Sequence, residues 1–208
     1  MPKDTFHNLP QDKQKRIIEA AIDEFAAHSY HKARVTAVAK NAGISIGSYY
    51  QYFEDKKDLF KYIIDQTATK KINYINQDIM RNEEDYSFFE ILRETYLSGM
   101  KFAKENPRLV AIGNKLLNNK ELQQEIWQDQ KDKSTDYFKN LLLKGQNNGE
   151  IDQEIDVELI ARLLTGLHHS LVDIIYKDNK IFPENFANEM EIIDKMLYFI
   201  KNGLKKHS

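Results

Sequence analysis

The sequence predicts an all-α protein, and three observations carry that prediction. Apolar residues recur at three- and four-residue steps rather than in alternation. Glycine and proline are scarce, eight and four in 208 residues, so long stretches run without a breaker. Charged residues make up 30% of the chain, which suits helices with one polar face. A chain of this length holds one or two compact helical domains with a substantial core.

Composition also excludes functions. No apolar run approaches the roughly 18 residues of a membrane span, and MPKDTFHNLPQDKQKR lacks the apolar core of a signal peptide, so the expected location is the cytoplasm, with no membrane partner. There is no cysteine, hence no disulfide, thiolate metal site or cysteine nucleophile. The net charge of -2 argues against bulk electrostatic coating of nucleic acid. Its distribution is uneven: residues 1–57 carry nine Lys/Arg against seven Asp/Glu, and the remainder 21 against 25. A weakly basic head on an acidic body is compatible with DNA contact through a small surface.

The elements follow in order. From Gln11 to His28, Ile17, Ala21 and Phe25 fall at four-residue steps beside Ile18 and Ile22, an amphipathic helix of about five turns. Ser29 to Ala33 ends it. Val35, Val38, Ala39 and Ala42 give a short second helix, which Gly43 terminates by supplying a left-handed residue. Ile44 plugs the turn. Ser45 is a good N-cap for a third short helix, in which Tyr49 and Phe53 point inward and Ile46, Gly47, Tyr50, Gln51 and Tyr52 surround the remaining surface. Two helices, a glycine-containing turn and a second helix exposing polar and aromatic groups make a helix-turn-helix unit. One helix of such a unit fits the major groove. Small residues at its start (Ser45, Gly47, Ser48) permit close approach, tyrosine hydroxyls bond phosphates, and Gln51 can read a base edge.

The run Ala39, Ala42, Gly43, Ile44, Ser45, Gly47, Ser48, Tyr49, Tyr50, Tyr52, Phe53, Lys56 and Leu59 resembles, in register, the signature of the tetracycline-repressor (TetR) family of bacterial regulators. The motif covers about residues 11–65; beyond it only the pattern of helices is similar. The resemblance implies DNA contacts from Ser45, Ile46, Gly47, Tyr50, Gln51 and Tyr52, and phosphate contacts from Lys56 and Thr36. Three positions depart from the pattern. Ile46 stands where a cation is frequent, which favours apolar contact with a thymine methyl. Tyr49 replaces a leucine or phenylalanine. Arg34 occupies the place of a capping threonine and becomes a candidate phosphate ligand.

From Asp55 to about Met80 the pattern reads as one long helix, roughly 38 Å at 1.5 Å per residue, a rod joining head and body. Asn82 to Asp85 breaks it. Further helices are expected over Ser87–Asn106, Pro107–Asn118 and Glu121–Gln146, the last stopped by Asn147-Asn148-Gly149. Asp156 caps a helix over 157–176, and Pro183 precedes one over about 184–205. The first of this pair is apolar nearly all round and the second carries two apolar stripes, so each needs two partners, the domain core and a second subunit. The resemblance likewise implies a homodimer through these last two helices. A two-fold dimer suits DNA, because half-sites one turn apart need two recognition helices.

The body shows no enzyme constellation. His168-His169 are adjacent, about 100° apart on a helix, and cannot chelate one metal from one face. No Glu-x-x-His or His-Glu-x-x-His motif and no glycine-rich phosphate loop is present, so neither catalytic residues, metal nor cofactor is expected. The resemblance implies a ligand cavity among the middle helices, for which Tyr96, Met100, Trp127, Tyr137, Phe138 and His168 are the candidates. A mainly apolar lining would take a hydrophobic or aromatic effector.

The sequence therefore predicts an N-terminal helix-turn-helix DNA-binding domain (1–55) and a C-terminal helical ligand-binding and dimerisation domain (56–208). The expected function is a ligand-responsive regulator, a repressor binding a palindromic operator in double-stranded DNA. The alternative is a small-molecule-binding or catalytic helical protein with a vestigial helix-turn-helix. A third reading is an assembly protein using the last two helices alone.

Overall fold

The computed structural model describes residues 1–126, 133–177 and 186–204. All helices among the described residues run in the order α1 (Asp4–His7), α2 (Gln11–Ala27), α3 (Val35–Ala42), α4 (Ile46–Tyr52), α5 (Lys56–Ile72), α6 (Gln77–Arg81), α7 (Phe88–Glu105), α8 (Pro107–Leu117), α9 (Lys120–Ile126), α10 (Lys133–Asn147), α11 (Val157–Lys177) and α12 (Phe186–Leu204). One 3-10 turn follows α6 at Glu83–Asp85. The class is all-α, as the periodicity predicts.

The chain forms two compact units, Met1–Ile72 with Ala103–Gln128, and Asn73–Phe102 with Asp129–Ser208. This grouping differs from a division at residue 55. The apolar faces of α5 (Leu59, Phe60, Ile63), α8 (Ile112, Leu116) and α9 (Leu122, Ile126) share one core with α2, α3 and α4. Two cations fix α8 in that unit. Arg108 bonds Asp23 and, at 2.8 Å, Glu19, and these two carboxylates hold its guanidinium pKa above the ordinary value. Lys115 donates to the carbonyls of Phe25 (3.1 Å), Ala26 and His28 (3.0 Å), the open C-terminal end of α2.

The second unit has its own core. Phe88, Leu92, Tyr96 and Met100 of α7 pack with Phe138, Leu141 and Leu142 of α10, Ala161 and Leu164 of α11, and Ile193, Leu197 and Ile200 of α12. At Gly145 of α10 the packing leaves no room for a side chain: a Cβ there would lie 2.7 Å from Ile151 Cγ1 and 3.2 Å from Phe88 Cβ.

The long helix expected over residues 55–80 is not continuous. It ends at Ile72, and α6 begins afresh with Asn76 as its N-cap, whose side chain accepts the Asp78 N–H at 2.9 Å. The apolar pattern thins across Gln66–Lys71, so little burial holds a helix together there. The backbone groups released at the break find partners on α7: Ser98 Oγ donates to the Tyr74 carbonyl at 3.0 Å, and Glu94 accepts the Asn76 N–H at 3.1 Å. Of the helix expected over Glu121–Gln146, α9 and α10 are the described parts; the intervening residues 127–132, Trp127 among them, lie outside the described residues.

Candidate nucleic-acid interface

The turn between α3 and α4 is built as its residue types require. Gly43 sits at φ 68°, ψ 38°, a left-handed conformation that a Cβ would strain. Ser45 Oγ accepts the Ser48 N–H at 3.0 Å and so caps α4. Tyr49 and Phe53 are wholly buried, anchoring α4 to the core, and the Tyr49 hydroxyl donates to the Asp55 carbonyl at 3.0 Å. Burial, together with the nearby Tyr50, Asp55 and Asp58, pushes the Tyr49 phenol well above the usual range.

With that side of α4 committed to packing, the opposite side is open. Ser45, Ile46, Gly47, Tyr50 and Gln51 are exposed, Tyr50 to 49% and Ile46 to 42%. The exposed Arg34 and Thr36 stand at the start of α3. Seven of the nine residues expected at DNA therefore lie on the outside of the helix-turn-helix.

The other two lie elsewhere. Tyr52 is buried to 7% exposure, its ring 6.4 Å from that of Phe6 and 5.6 Å from the Lys13 ammonium. Lys56 turns its ammonium inward, donating to the carbonyls of Tyr30 (2.7 Å), Ala33 (3.1 Å) and His31 (3.4 Å), and lies 4.6 Å from the centre of the Tyr30 ring. Three carbonyl acceptors and an aromatic face tie it to the α2–α3 connection. Burial, reinforced by the charges of Glu125 and Asp55, pushes the Tyr30 phenol up to about 12.

The N-terminal residues lie outside the helix-turn-helix motif, and they touch α4 directly. Lys3 donates through Nζ to the Tyr50 carbonyl at 2.9 Å and through its backbone N–H to the Tyr52 carbonyl at 2.9 Å; Thr5 Oγ1 donates to the Gln51 carbonyl. Phe6, wholly buried, packs its ring 4.9 Å from Phe53 and 5.7 Å from Tyr62. The available signal was the apolar pair Phe6 and Leu9, at helical spacing in a polar tail.

Residues 17–63 match the sequence profile of bacterial regulatory proteins, tetR family. Over that stretch, from α2 into α5, the chain is of that family. Among curated relatives of the chain, the fatty acid metabolism regulator protein of Bacillus subtilis is 27% identical over 159 residues, 74% of this chain and 81% of that protein. A TetR-family transcriptional regulator from Chloroflexus aurantiacus has a solved structure that is 27% identical and superposes with a TM-score of 0.71, each chain covered in full. The transcriptional regulator FadR from Bacillus subtilis, solved in complex with stearoyl-CoA, shares the fold with a TM-score of 0.73 at 23% identity, over 91% of this chain and 98% of that one. The curated relatives are transcriptional regulators, and the matched residues include the exposed face of α4.

In the second unit, three candidate effector contacts are core residues. Tyr96, Met100 and Phe138 are each at most 2% exposed, with the Tyr96 and Phe138 rings 6.5 Å apart. Polar groups run through this core: the Tyr96 hydroxyl donates to the Leu164 carbonyl at 3.4 Å, and the Thr135 and Thr165 hydroxyls meet at 3.2 Å. Burial raises the Tyr96 phenol above its ordinary range. Tyr137 stands apart, 37% exposed, its hydroxyl 2.8 Å from Thr95 Oγ1. Trp127 and the His168 side chain lie outside the described residues. Among the described residues, no group of three His, Asp or Glu side chains could hold a metal ion, and no helix is long and apolar enough to cross a membrane.

Proposed function

We propose that this regulator is a ligand-responsive repressor that binds a palindromic operator as a homodimer and is released by a hydrophobic small molecule. The observation that carries DNA reading is the exposed face of α4, where Ile46, Gly47, Tyr50 and Gln51 project from a helix anchored behind by Tyr49 and Phe53. The exposed Ile46 supplies a methyl-sized apolar contact and Gln51 a bidentate partner for adenine. Arg34, Thr36 and Ser45 supply phosphate contacts around them. Tyr52 and Lys56 act one step back, by holding α4 and the α2–α3 connection in place.

Effector binding is assigned to the core of the second unit around Tyr96, Met100 and Phe138. An apolar interior threaded by the Tyr96, Thr135 and Thr165 hydroxyls suits a long or aromatic apolar body with one polar end. The stearoyl-CoA bound by the Bacillus subtilis FadR makes it the first effector to try. Release works as a population shift, the ligand favouring a conformation in which the two heads no longer match the half-site spacing. Among the described residues, α7 (Phe88–Glu105) is the helix with residues in both compact units, and the coupling role is assigned to it.

The test is selection of duplexes from a random 40-base-pair pool by the purified protein, followed by gel-shift titration of the enriched duplex at fixed salt. A two-fold symmetric sequence, bound tightly by the wild type and about tenfold or more weaker by Tyr50→Ala, is the expected result. Unchanged affinity of the Tyr50 variant would remove α4 as the reading helix. Release by stearoyl-CoA and not by an aromatic compound such as naphthalene, or the reverse, decides the effector class.

A further inference from the structure

The recognition helix has only seven residues, Ile46–Tyr52, too few to be stable alone. Its last four carbonyls, those of Tyr49, Tyr50, Gln51 and Tyr52, have no partner within the helix. The Phe53 N–H satisfies the Tyr49 carbonyl at 2.9 Å. The other three are satisfied from the opposite end of the head, by residues 46 to 49 positions earlier in the chain. Lys3 Nζ meets Tyr50 and Lys3 N–H meets Tyr52, each at 2.9 Å, while Thr5 Oγ1 meets Gln51. Phe6 pins this segment by burying its ring against Phe53 and Tyr62. Lys3, Thr5 and Phe6 lie outside residues 17–63, the part matched to the family.

We infer that Lys3 and Thr5 are positioning residues for DNA recognition: they terminate α4 and fix how Tyr50 and Gln51 are presented to the groove. This inference rests on the DNA-reading role of α4 proposed above. Tyr50 and Gln51 carry exposed side chains while their own carbonyls are held from residues 3 and 5, so movement of that segment moves the reading groups themselves. The Lys3 ammonium also places a positive charge at the helix C-terminus, where the helix dipole favours it. The role is distinct from phosphate contact, because this ammonium is engaged with a main-chain carbonyl.

The test compares Lys3→Met/Thr5→Val with the conservative Lys3→Arg/Thr5→Ser, which keeps both donors. Two readouts are used: affinity for the duplex enriched by the wild type from the random pool, over a range of salt, and amide hydrogen exchange of the free protein. The Met/Val variant is expected to bind about tenfold more weakly with an unchanged salt slope. Its residues 49–53 are expected to exchange faster while α2 keeps its protection, and the Arg/Ser variant should restore both properties. Wild-type affinity in the Met/Val variant would overturn the inference. So would a salt slope shallower by about one per head, which would make Lys3 a phosphate ligand. If the wild type enriches no duplex, the DNA-reading role fails instead, and hydrogen exchange still decides whether residues 3 and 5 brace α4: equal protection in the Met/Val variant overturns the brace.

Discussion

The carboxylate of Glu24, on α2 and only 7% exposed, accepts the Arg34 N–H at 2.9 Å and thereby caps α3 from a neighbouring helix. Arg34 itself offers α3 no side-chain cap. The orphan donor at the start of the helix is thus satisfied by a residue ten positions earlier, and the arginine side chain is left exposed.

Glu24→Ala should therefore destabilise the helix-turn-helix by about 1–2 kcal/mol, because it leaves a backbone N–H without its partner. Glu24→Gln, which keeps an acceptor oxygen, should recover most of that loss. Urea-unfolding midpoints of the three proteins check this. Equal midpoints for Ala and wild type would show that water replaces the carboxylate.

Lys56 and Tyr50 should separate stability from DNA binding. Lys56→Met removes an ammonium donating to three carbonyls and facing the Tyr30 ring, an expected loss of about 2 kcal/mol. Tyr50→Ala trims an exposed side chain and should move stability by less than about 0.5 kcal/mol. Thermal melts distinguish them. A Lys56→Met protein with wild-type stability and a reduced salt slope of binding would return Lys56 to the phosphate backbone.

Tyr30 makes the head sensitive to alkali. Its phenol is pushed up to about 12 in the folded protein, chiefly by burial, against an ordinary value near 10. Below pH 10 both folded and unfolded forms hold the proton, and stability is unaffected. Between about pH 10 and 12 the unfolded chain gives up the proton first, so stability falls as pH rises through that window. Tyr30→Phe should lose less stability between pH 9 and 11 than the wild type, measured by urea midpoint. Some decline should remain, because Tyr49 and Tyr62 are shifted in the same direction.

The sequence made the helix-turn-helix legible because local chemistry decides it. Gly43 must be left-handed, Ser45 must cap, and Tyr49 and Phe53 must face inward at helical spacing. What stayed hidden depends on partners far away in the chain. A polar lysine at 56 reads as a solvated or DNA-binding charge until the carbonyls of Tyr30, His31 and Ala33 are placed beneath it. Tyr52 reads as outward until Phe6 covers it. The break after Ile72 is similar: isoleucines at 72, 75 and 79 continue a helical rhythm, and only Glu94 and Ser98 on α7 show where the backbone bonds go instead.

The last prediction concerns the dimer. On α11, Leu159, Leu163 and Leu167 are 53%, 53% and 36% exposed, while Ala161, Leu164 and Thr165 on the same helix are buried. Steps of four place the three leucines in one stripe. On α12, Tyr198 and Phe199 are each 74% exposed. Such apolar stripes are poorly placed in water, and burying each leucine is worth about 1.5–3 kcal/mol, which a second copy of the same surface can supply. The wild type should therefore sediment as a dimer at micromolar concentration. Leu159→Asp/Leu163→Asp, which puts unpaired carboxylates into that surface, should sediment as a monomer with its helical content intact. It should also lose operator affinity by about a hundredfold or more, because a lone head engages one half-site and forfeits the effective concentration that a linked second head provides. A variant that stays dimeric would move the subunit interface off the α11 stripe, and a monomer that binds as tightly as the wild type would remove the need for two heads.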